Sequence, residues 1–229
     1  MFRNRSYQKE LLDERDIPSE DLYQNLKELN IINRFLGGYR MTFNALQKVL
    51  DKETPVVLVD IGSGGGDTLR HIQKWNKRRG FKLNLYGIDQ KQVCIDYSRE
   101  KNNSEITFIC DDYKNVFNHV SRVHILHACL FCHHLSEAEI VDLIGFCREN
   151  NTTLIINDLE RNAFAYYAIK VLTFVLSKSY LVKNDAPLSV LRGFKIKEWE
   201  HILKQANATK YSIRYKWAFR HEIIVHAER

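Results

Sequence analysis

The stretch Val59-Asp60-Ile61-Gly62-Ser63-Gly64-Gly65-Gly66-Asp67 is the most informative part of this 229-residue chain. An apolar run ends in an acid, passes into a glycine-rich turn and opens into a helical pattern. Small residues in such a turn let a ligand approach the backbone closely, and the helix N-terminus offers free N–H groups. The glycine spacing is G-x-G-x-G rather than the G-x-G-x-x-G of pyrophosphate-binding turns. We therefore expect a ligand that has no pyrophosphate.

Short apolar runs alternate with helical patterns on both sides of this stretch. The predicted strands are Val56–Ile61, Leu83–Ile88, Ile106–Cys110, Val123–Ala128 and Thr153–Asn157, and the predicted helices between them are Asp67–Arg79, Gln90–Lys101 and Glu137–Glu149. Ser136 and Glu139 form a capping-box pattern at the start of the last helix. Continuous apolar strands that alternate with helices predict a parallel sheet covered on both faces, which is an α/β Rossmann-like three-layer sandwich.

The two ends of the chain depart from this alternation. Residues 210–217 and 222–227 predict an antiparallel hairpin at the sheet edge, with a turn around Phe219-Arg220-His221. Ser19–Leu36 and Tyr39–Leu50 predict two helices outside the sheet. We accordingly expect an N-terminal helical cap or lid over residues 1–52 and a ligand-binding domain over 53–229, with a helical insertion for a second substrate at 160–193.

Acidic residues end two further strands. Asp89 follows the second strand and can accept hydrogen bonds from both hydroxyls of a ribose, as acids do in other nucleotide-binding α/β sheets. Asp111-Asp112 follows the third strand and can accept from an adenine amine. Acids in these positions also cap loops, which is the plainer interpretation for any one of them. Ligands of open α/β sheets bind at the carboxyl ends of the strands, where all of these acids lie.

The composition limits the class of protein. With 45% hydrophobic and 27% charged residues, the chain fits a globular protein and not a disordered or fibrous one. The net charge of +6 comes from scattered cations, which favours a solvated surface over a nucleic-acid patch. Five cysteines, no apparent secretory signal and no uninterrupted apolar span lead us to expect a cytoplasmic protein. Ala163–Val182 is interrupted by lysines and predicts a greasy amphipathic helix that faces a pocket or a membrane surface.

At this point the chain resembles the class I S-adenosylmethionine (SAM)-dependent methyltransferases. The resemblance rests on Asp60-x-Gly62-x-Gly64-x-Gly66, on Asp89 and Asp112, and on His127-Ala128-Cys129-Leu130-Phe131-Cys132-His133-His134-Leu135. The last of these stretches, together with weaker likenesses over residues 36–40, 157–161 and 185–192, is similar to bacterial methyltransferases that act on phenols, polyketides or quinones.

The resemblance implies a seven-stranded sheet with an antiparallel last strand, SAM as cofactor and S-adenosylhomocysteine (SAH) as product. It implies O- or C-methylation of a small, aromatic or hydrophobic acceptor. The cofactor-binding residues that we expect are Asp60, Gly62, Ser63, Gly64, Gly66, Asp89, Gln90, Asp111, Asp112, Cys129 and Leu130.

A phenol or enol acceptor must lose a proton, and imidazole suits that task because its unperturbed pKa is near ~6.5. We favour His134 over His133 as the general base, with Asp158 as a further candidate; the plainer interpretation is that both histidines only pack or bond the backbone. The expected acceptor-binding residues are Tyr166, Tyr167, Asp185, Ser189 and Arg192, with the alternatives that the rings form core and that Arg192 pairs with Asp185.

Three rival interpretations remain open. Cys129-Leu130-Phe131-Cys132-His133 matches a haem-attachment pattern, but such attachment would require export and no secretory signal is apparent. A zinc site would need a second ligand pair, which the sequence does not show, so we expect no metal. An RNA methyltransferase would use the same cofactor, although the Pro-Pro and Pro-Cys motifs of base-modifying enzymes are absent. A SAM-binding regulator without catalysis would also fit. Independently of the function, the chain could form a homodimer.

Overall fold

The computed structural model describes residues 2–14, 16–101 and 105–227. In these residues a seven-stranded sheet has the order β3-β2-β1-β4-β5-β7-β6. The strands are β1 Val56–Ile61, β2 Leu83–Asp89, β3 Ile106–Cys110, β4 Ile125–Cys129, β5 Thr153–Leu159, β6 Tyr211–Lys216 and β7 Arg220–Val225. Strands β1 to β5 pair in parallel, whereas β7 is antiparallel to both β5 and β6. The predicted sheet, with its antiparallel last strand, is confirmed.

Helices cover both faces of this sheet, and further helices pack outside these faces. They are α1 Ser19–Phe35, α2 Gly38–Val49, α3 Asp67–Asn76, α4 Gln92–Glu100, α5 Val116–His119, α6 Glu137–Glu149, α7 Ala163–Leu176, α8 Tyr180–Arg192 and α9 Ile196–Gln205. The Ser136–Glu139 capping box at the start of α6 is present, with the Ser136 hydroxyl accepting from the Glu139 N–H.

The strand period of two explains the three layers. Leu58 on β1 points to one face, where it packs with residues of α2, α3 and α4, while Val59 points to the other face, against α6 and α9. Both side chains are fully buried. A strand that is covered on both faces needs a continuous apolar run, and this is the pattern that the sequence shows.

The β6–β7 hairpin differs in detail from the prediction. Its turn is Trp217–Phe219, since Lys216 pairs with Arg220 across the strands. Arg220 and His221, which were expected in the turn, belong to β7 and are buried. The Arg220 guanidinium donates to the Asn157 side chain on β5 at 3.0 Å, which places this cation inside the sheet instead of at its tip.

Residues 2–14, which we call the N-terminal segment, lie against α8 and at the carboxyl edge of the sheet. The Ser6 N–H donates to the Leu191 carbonyl at 3.0 Å. The Asp185 carboxylate accepts from the Leu11 and Leu12 N–H groups at 2.8 Å each. These bonds fix the N-terminal segment beside the loop that follows β4, and this position matters for the site described below.

Candidate active site

A cleft of about 630 Å³ opens at the carboxyl ends of β1 to β4. Most of the expected cofactor-binding residues line it, and so does His134. They are Asp60, Gly62, Ser63, Gly64, Asp89, Gln90, Asp111, Asp112, Cys129 and Leu130. Residues separated by up to 70 positions in the sequence therefore meet in one cavity, as the strand order requires.

The glycine-rich turn forms the floor of the cleft. Gly62, Gly64 and Gly66 all have positive φ values, of 59°, 51° and 71°, which L residues adopt only under strain. A Cβ atom on Gly62 would overlap the Phe131 ring. Gly66 lies outside the cleft wall and is the N-cap of α3, where a Cβ would come within 2.6 Å of the Phe108 ring. The role of Gly66 is thus to shape the turn.

Asp89 links the glycine-rich turn to the end of β2. Its carboxylate accepts from the Gly64 N–H and from the Lys91 N–H, at 2.9 Å each. Burial raises the pKa of Asp89, although both backbone N–H groups oppose that effect. A carboxylate oxygen has a second lone pair, so Asp89 retains the capacity to accept hydroxyl groups from a ligand in the cleft.

The adjacent acids at the end of β3 have different surroundings. Asp112 accepts from the Gln90 amide at 2.8 Å, and this pair forms part of the cleft wall. Asp111 instead bonds His119 and Asn115, at 2.7 and 2.8 Å. These two hydrogen bonds lower the pKa of Asp111 to about 2. Asp112 is therefore better placed than Asp111 to accept from a ligand.

The residues of the floor fit a polar ligand. The Ser63 hydroxyl is buried and has no hydrogen-bond partner among the described residues. A buried hydroxyl without a partner is costly unless a ligand or water bonds it. Asp60 is not in this position, because its carboxylate already bonds the ring of His127 at 2.7 Å, which in turn lies 3.1 Å from the Thr42 hydroxyl. Asp60 thus supports the floor of the cleft, whereas the Ser63 hydroxyl is free to form a hydrogen bond with a ligand.

His134 stands at the opposite end of the cleft from the acids of β2 and β3. It lies on a short helical turn, Cys132–His134, directly after the loop that follows β4. Its Nδ1 is 3.3 Å from an oxygen of Asp13 and its Nε2 is 3.8 Å from an oxygen of Glu10. The imidazole is part-exposed and lines the cleft.

His133 and Asp158 form a buried pair behind this wall. The His133 Nδ1 lies 2.7 Å from one Asp158 oxygen, and the His133 N–H donates to the other at 3.0 Å. Burial raises the pKa of Asp158, but His133 and the backbone N–H groups lower it overall. Neither residue lines the cleft. The structure thus does not place Asp158 where a base must stand, because its oxygens are occupied by His133.

Glu10 connects the two histidines. One of its oxygens is 3.6 Å from the His133 Nε2, and the other is 3.8 Å from the His134 Nε2. Burial raises the pKa of Glu10 to about 7. The ligand atoms of these three residues lie within 4.8 Å of one another, a spacing that can hold a metal ion. Arg192 lies 3.9 Å from one Glu10 oxygen, and the Ser189 hydroxyl donates to the same oxygen at 2.8 Å, so ion pairs and one hydrogen bond account for the position of Glu10.

The structure does not bring the expected acceptor-binding residues into the cleft. Tyr166 is buried between α7 and the N-terminal segment, and Tyr167 lies on the outer surface. Asp185 and Ser189 hold the N-terminal segment, the latter by donating to Glu10 at 2.8 Å. Arg192 does not pair with Asp185; it donates to the carbonyls of Gln8, His133 and His134. These polar residues hold the N-terminal segment and the His133–His134 backbone in place without lining the cleft themselves.

Other residues that the sequence did not single out also line the cleft. They are Leu12 and Asp13 of the N-terminal segment, Leu26, Leu29, Asn30 and Asn33 of α1, Tyr39 of α2, and Phe131 after β4. The Asn33 Oδ1 is buried without a hydrogen-bond partner among the described residues. The polar residues of α1, which was expected only as a cap helix, were the sequence feature that could have indicated that α1 lines the cleft. No local pattern connects residues 10–13 with His134.

Comparison with solved structures places the fold among known enzymes. The chain is similar to the plantazolicin methyltransferase BpumL in complex with SAH, with a TM-score of 0.65 and 18% identity over 92% of this chain and 95% of that one. BpumL bound to SAH and a triazolic desmethylplantazolicin analogue gives a TM-score of 0.66 at 20% identity, over 92% and 90% of the two chains. The pyocyanin biosynthetic protein PhzM gives 0.55 at 16% identity, over 85% of this chain and 55% of that one.

No protein-family profile and no curated protein sequence matches the chain. The structural likeness at these identities shows the fold. The chain has the Rossmann-like fold of these methyltransferases, as the resemblance in the glycine-rich turn implied.

Proposed function

We propose that this chain is a SAM-dependent methyltransferase that acts on a hydroxyl group of a small, largely apolar acceptor. One observation carries the proposal: a single cleft is lined both by the strand-end acids Asp89 and Asp112 and by the part-exposed His134. SAH in the crystal structures of the similar BpumL supports the same ligand here.

The cofactor end would be formed by Ser63, Asp89 and Asp112 together with the glycine-rich turn. Asp89 and Asp112 have the acceptor oxygens that a ribose and an adenine amine require, and the Ser63 hydroxyl lacks a partner. When bound, SAM supplies an electrophilic methyl group on a sulfonium. The protein itself contributes mainly position, since holding two reactants in line replaces an encounter in solution.

His134 would accept the proton of the acceptor hydroxyl at Nε2, because its Nδ1 faces the Asp13 carboxylate. The imidazole then gains a positive charge, and the ionised Asp13 carboxylate beside it stabilises that charge. Contacts with His134 help to keep the pKa of Asp13 low, against the effect of burial, so Asp13 stays ionised. His133, fixed by Asp158, would act as a positioning residue for Glu10.

The walls between these two ends indicate the acceptor class. Leu26 and Leu29 of α1 and the Phe131 ring give an apolar surface, and the amide side chains of Asn30 and Asn33 line the same cavity. Binding pockets for small molecules combine apolar walls with a few such polar groups. These walls favour a flat, apolar molecule with a hydroxyl group, such as a phenol.

The test is transfer of labelled methyl from SAM to a panel of phenols, with total RNA as a parallel substrate. We expect labelled phenol ether and no labelled RNA. The His134→Ala variant should bind SAM as the wild type does while turning over roughly 100-fold more slowly. Labelled RNA, or SAM binding without transfer to any phenol of the panel, would contradict the proposal.

A further inference from the structure

Helix α7 exposes an apolar face to solvent. Among its 14 residues only Tyr166, Ile169 and Thr173 are buried. Phe164, Phe174, Val175 and Leu176 are each at least 68% exposed. Large apolar side chains are normally scattered singly on a protein surface, and a cluster marks an interaction site.

The exposed face continues onto two neighbouring elements. Ile32 and Leu36, at the end of α1, pack in the apolar cluster on the buried side of α7, and Phe35, which precedes Leu36, is 80% exposed. The hairpin tip is linked to α7 by a contact of the Phe164 and Phe219 rings, 5.7 Å apart, and it carries Trp217, which is 80% exposed. We define the apolar face as Phe35, Phe164, Phe174, Val175, Leu176 and Trp217.

The segments that build the apolar face contain no acidic residue. Residues 29–50, 161–184 and 206–221 contain neither Asp nor Glu, although the chain has 28 of them. Exposed cations lie next to the apolar side chains, among them Arg34, Lys170 and Lys178. Glu28, one residue before the first of these ranges, lies at the end of α7, where its carboxylate accepts from the Ser177 hydroxyl and from the Lys178 N–H. This surface is therefore apolar, and the three cations named here outnumber the Glu28 carboxylate beside them.

The charge distribution discriminates between the partners that such a surface can take. In a two-fold dimer the same patch meets itself, and like charges would then face each other. Four of the six residues of the apolar face are aromatic and could stack on the bases of single-stranded RNA, so an RNA complex is an outcome that the test below must separate. Val175 and Leu176 have no ring on which a base can stack, whereas both gain from entering the headgroup region of a bilayer. An apolar centre with flanking cations matches an anionic lipid surface, where the side chains enter the headgroup region and lysines meet phosphates.

The length of α7 determines how this helix could contact a bilayer. A helix of 14 residues is about 21 Å long, which is shorter than the ~30 Å hydrocarbon core of a bilayer. None of the helices in the described ranges is long and apolar enough to cross a membrane. Helix α7 would have to lie along the surface.

We propose that the apolar face docks this protein on the surface of an anionic phospholipid bilayer. Helix α1 connects this surface with the cleft, since Phe35 belongs to the apolar face while Leu29 and Asn33 line the cavity. Docking would therefore hold one wall of the cleft near the bilayer, where an apolar acceptor concentrates. The binding test below is independent of whether methyl transfer occurs.

The experiment is co-sedimentation of the full chain with vesicles of phosphatidylcholine alone or mixed with phosphatidylglycerol. We expect binding to the mixed vesicles that is at least ~10-fold stronger than to phosphatidylcholine. The double variant Phe174→Glu/Val175→Glu should lose at least ~10-fold in that binding. Lys170→Glu/Lys178→Glu should remove most of the dependence on phosphatidylglycerol, since each lysine near an anionic surface contributes roughly 1 kcal/mol, about five-fold.

Ile196→Glu provides the matched control. Ile196 is exposed at the first residue of α9 and lies outside the apolar face, so this variant should sediment like the wild type. Circular dichroism and the thermal midpoint of each variant show whether it folds. Equal binding to both kinds of vesicle, or no binding to either by the wild type, would overturn the proposal. So would a concentration-dependent dimer, or an RNA complex, that the Phe174→Glu/Val175→Glu variant abolishes.

Discussion

Asp89 and Asp111 follow neighbouring strands, yet their side chains act in different ways. The Asp89 carboxylate is buried at the glycine-rich turn, and burial raises its pKa. The Asp111 carboxylate is held by His119 and Asn115, which lower its pKa to about 2. In sequence both look like strand-terminal acids. Only the side-chain partners reveal which of them faces a ligand.

Adding a single Cβ atom at Gly62 should reduce the stability of the protein. In Gly62→Ala the new Cβ would overlap the Phe131 ring at a positive φ of 59°. Gly80→Ala is the matched control, because its φ is 75° and no atom lies within 4 Å of the added Cβ. We expect Gly80→Ala to lose about 1 kcal/mol of unfolding free energy from backbone strain.

We expect Gly62→Ala to lose a further 1–3 kcal/mol or so from the overlap with Phe131. The measurement is chemical denaturation of both variants by the same probe. Equal losses in the two variants would mean that the Phe131 ring moves freely, and that the floor of the cleft is less rigid than the structure shows.

At the scale of elements, the N-terminal segment is the part whose stability should respond to pH. The pKa of Glu10 is about 7 in the folded chain, against an ordinary value of 4.5. A raised acid pKa means that the folded state holds the proton more tightly than the unfolded state. The contribution of Glu10 to the free energy of unfolding is therefore fully present below about pH 4.5 and is lost as pH rises to about 7.

Glu10→Gln removes the titrating carboxyl group and therefore tests the direction in which stability changes with pH. Relative to the wild type, the variant should become more stable as pH rises from 5 to 8, by something on the order of 1–3 kcal/mol. The exposed Glu53→Gln serves as control and should leave the pH profile unchanged. The check is urea unfolding at several pH values; a difference that is constant with pH would contradict the environment described for Glu10.

Over the whole molecule, the sequence predicted the fold well and the acceptor end poorly. Alternation of apolar strands with helices is a local pattern, and it placed the sheet and the acids at its carboxyl edge. The contacts of Glu10 with His133 and His134 join positions more than 120 residues apart, so no periodicity encodes them. The aromatic residues of α7 were expected in the acceptor site because apolar side chains suit a pocket. They lie instead on the outer surface or against the N-terminal segment.

The central claim is that the cleft at the carboxyl edge of the sheet binds the adenosine moiety of SAM, with Asp89 as a direct contact. Calorimetric titration with SAH tests it most directly, since SAH undergoes no methyl transfer. We predict binding at one site by the wild type and by Asp96→Ala, an exposed acid on α4 outside the cleft. Asp89→Ala should bind roughly 10- to 100-fold more weakly, the equivalent of one lost charge-assisted hydrogen bond. A wild type that does not bind SAH, or a folded Asp89→Ala variant with unchanged affinity, would contradict the account.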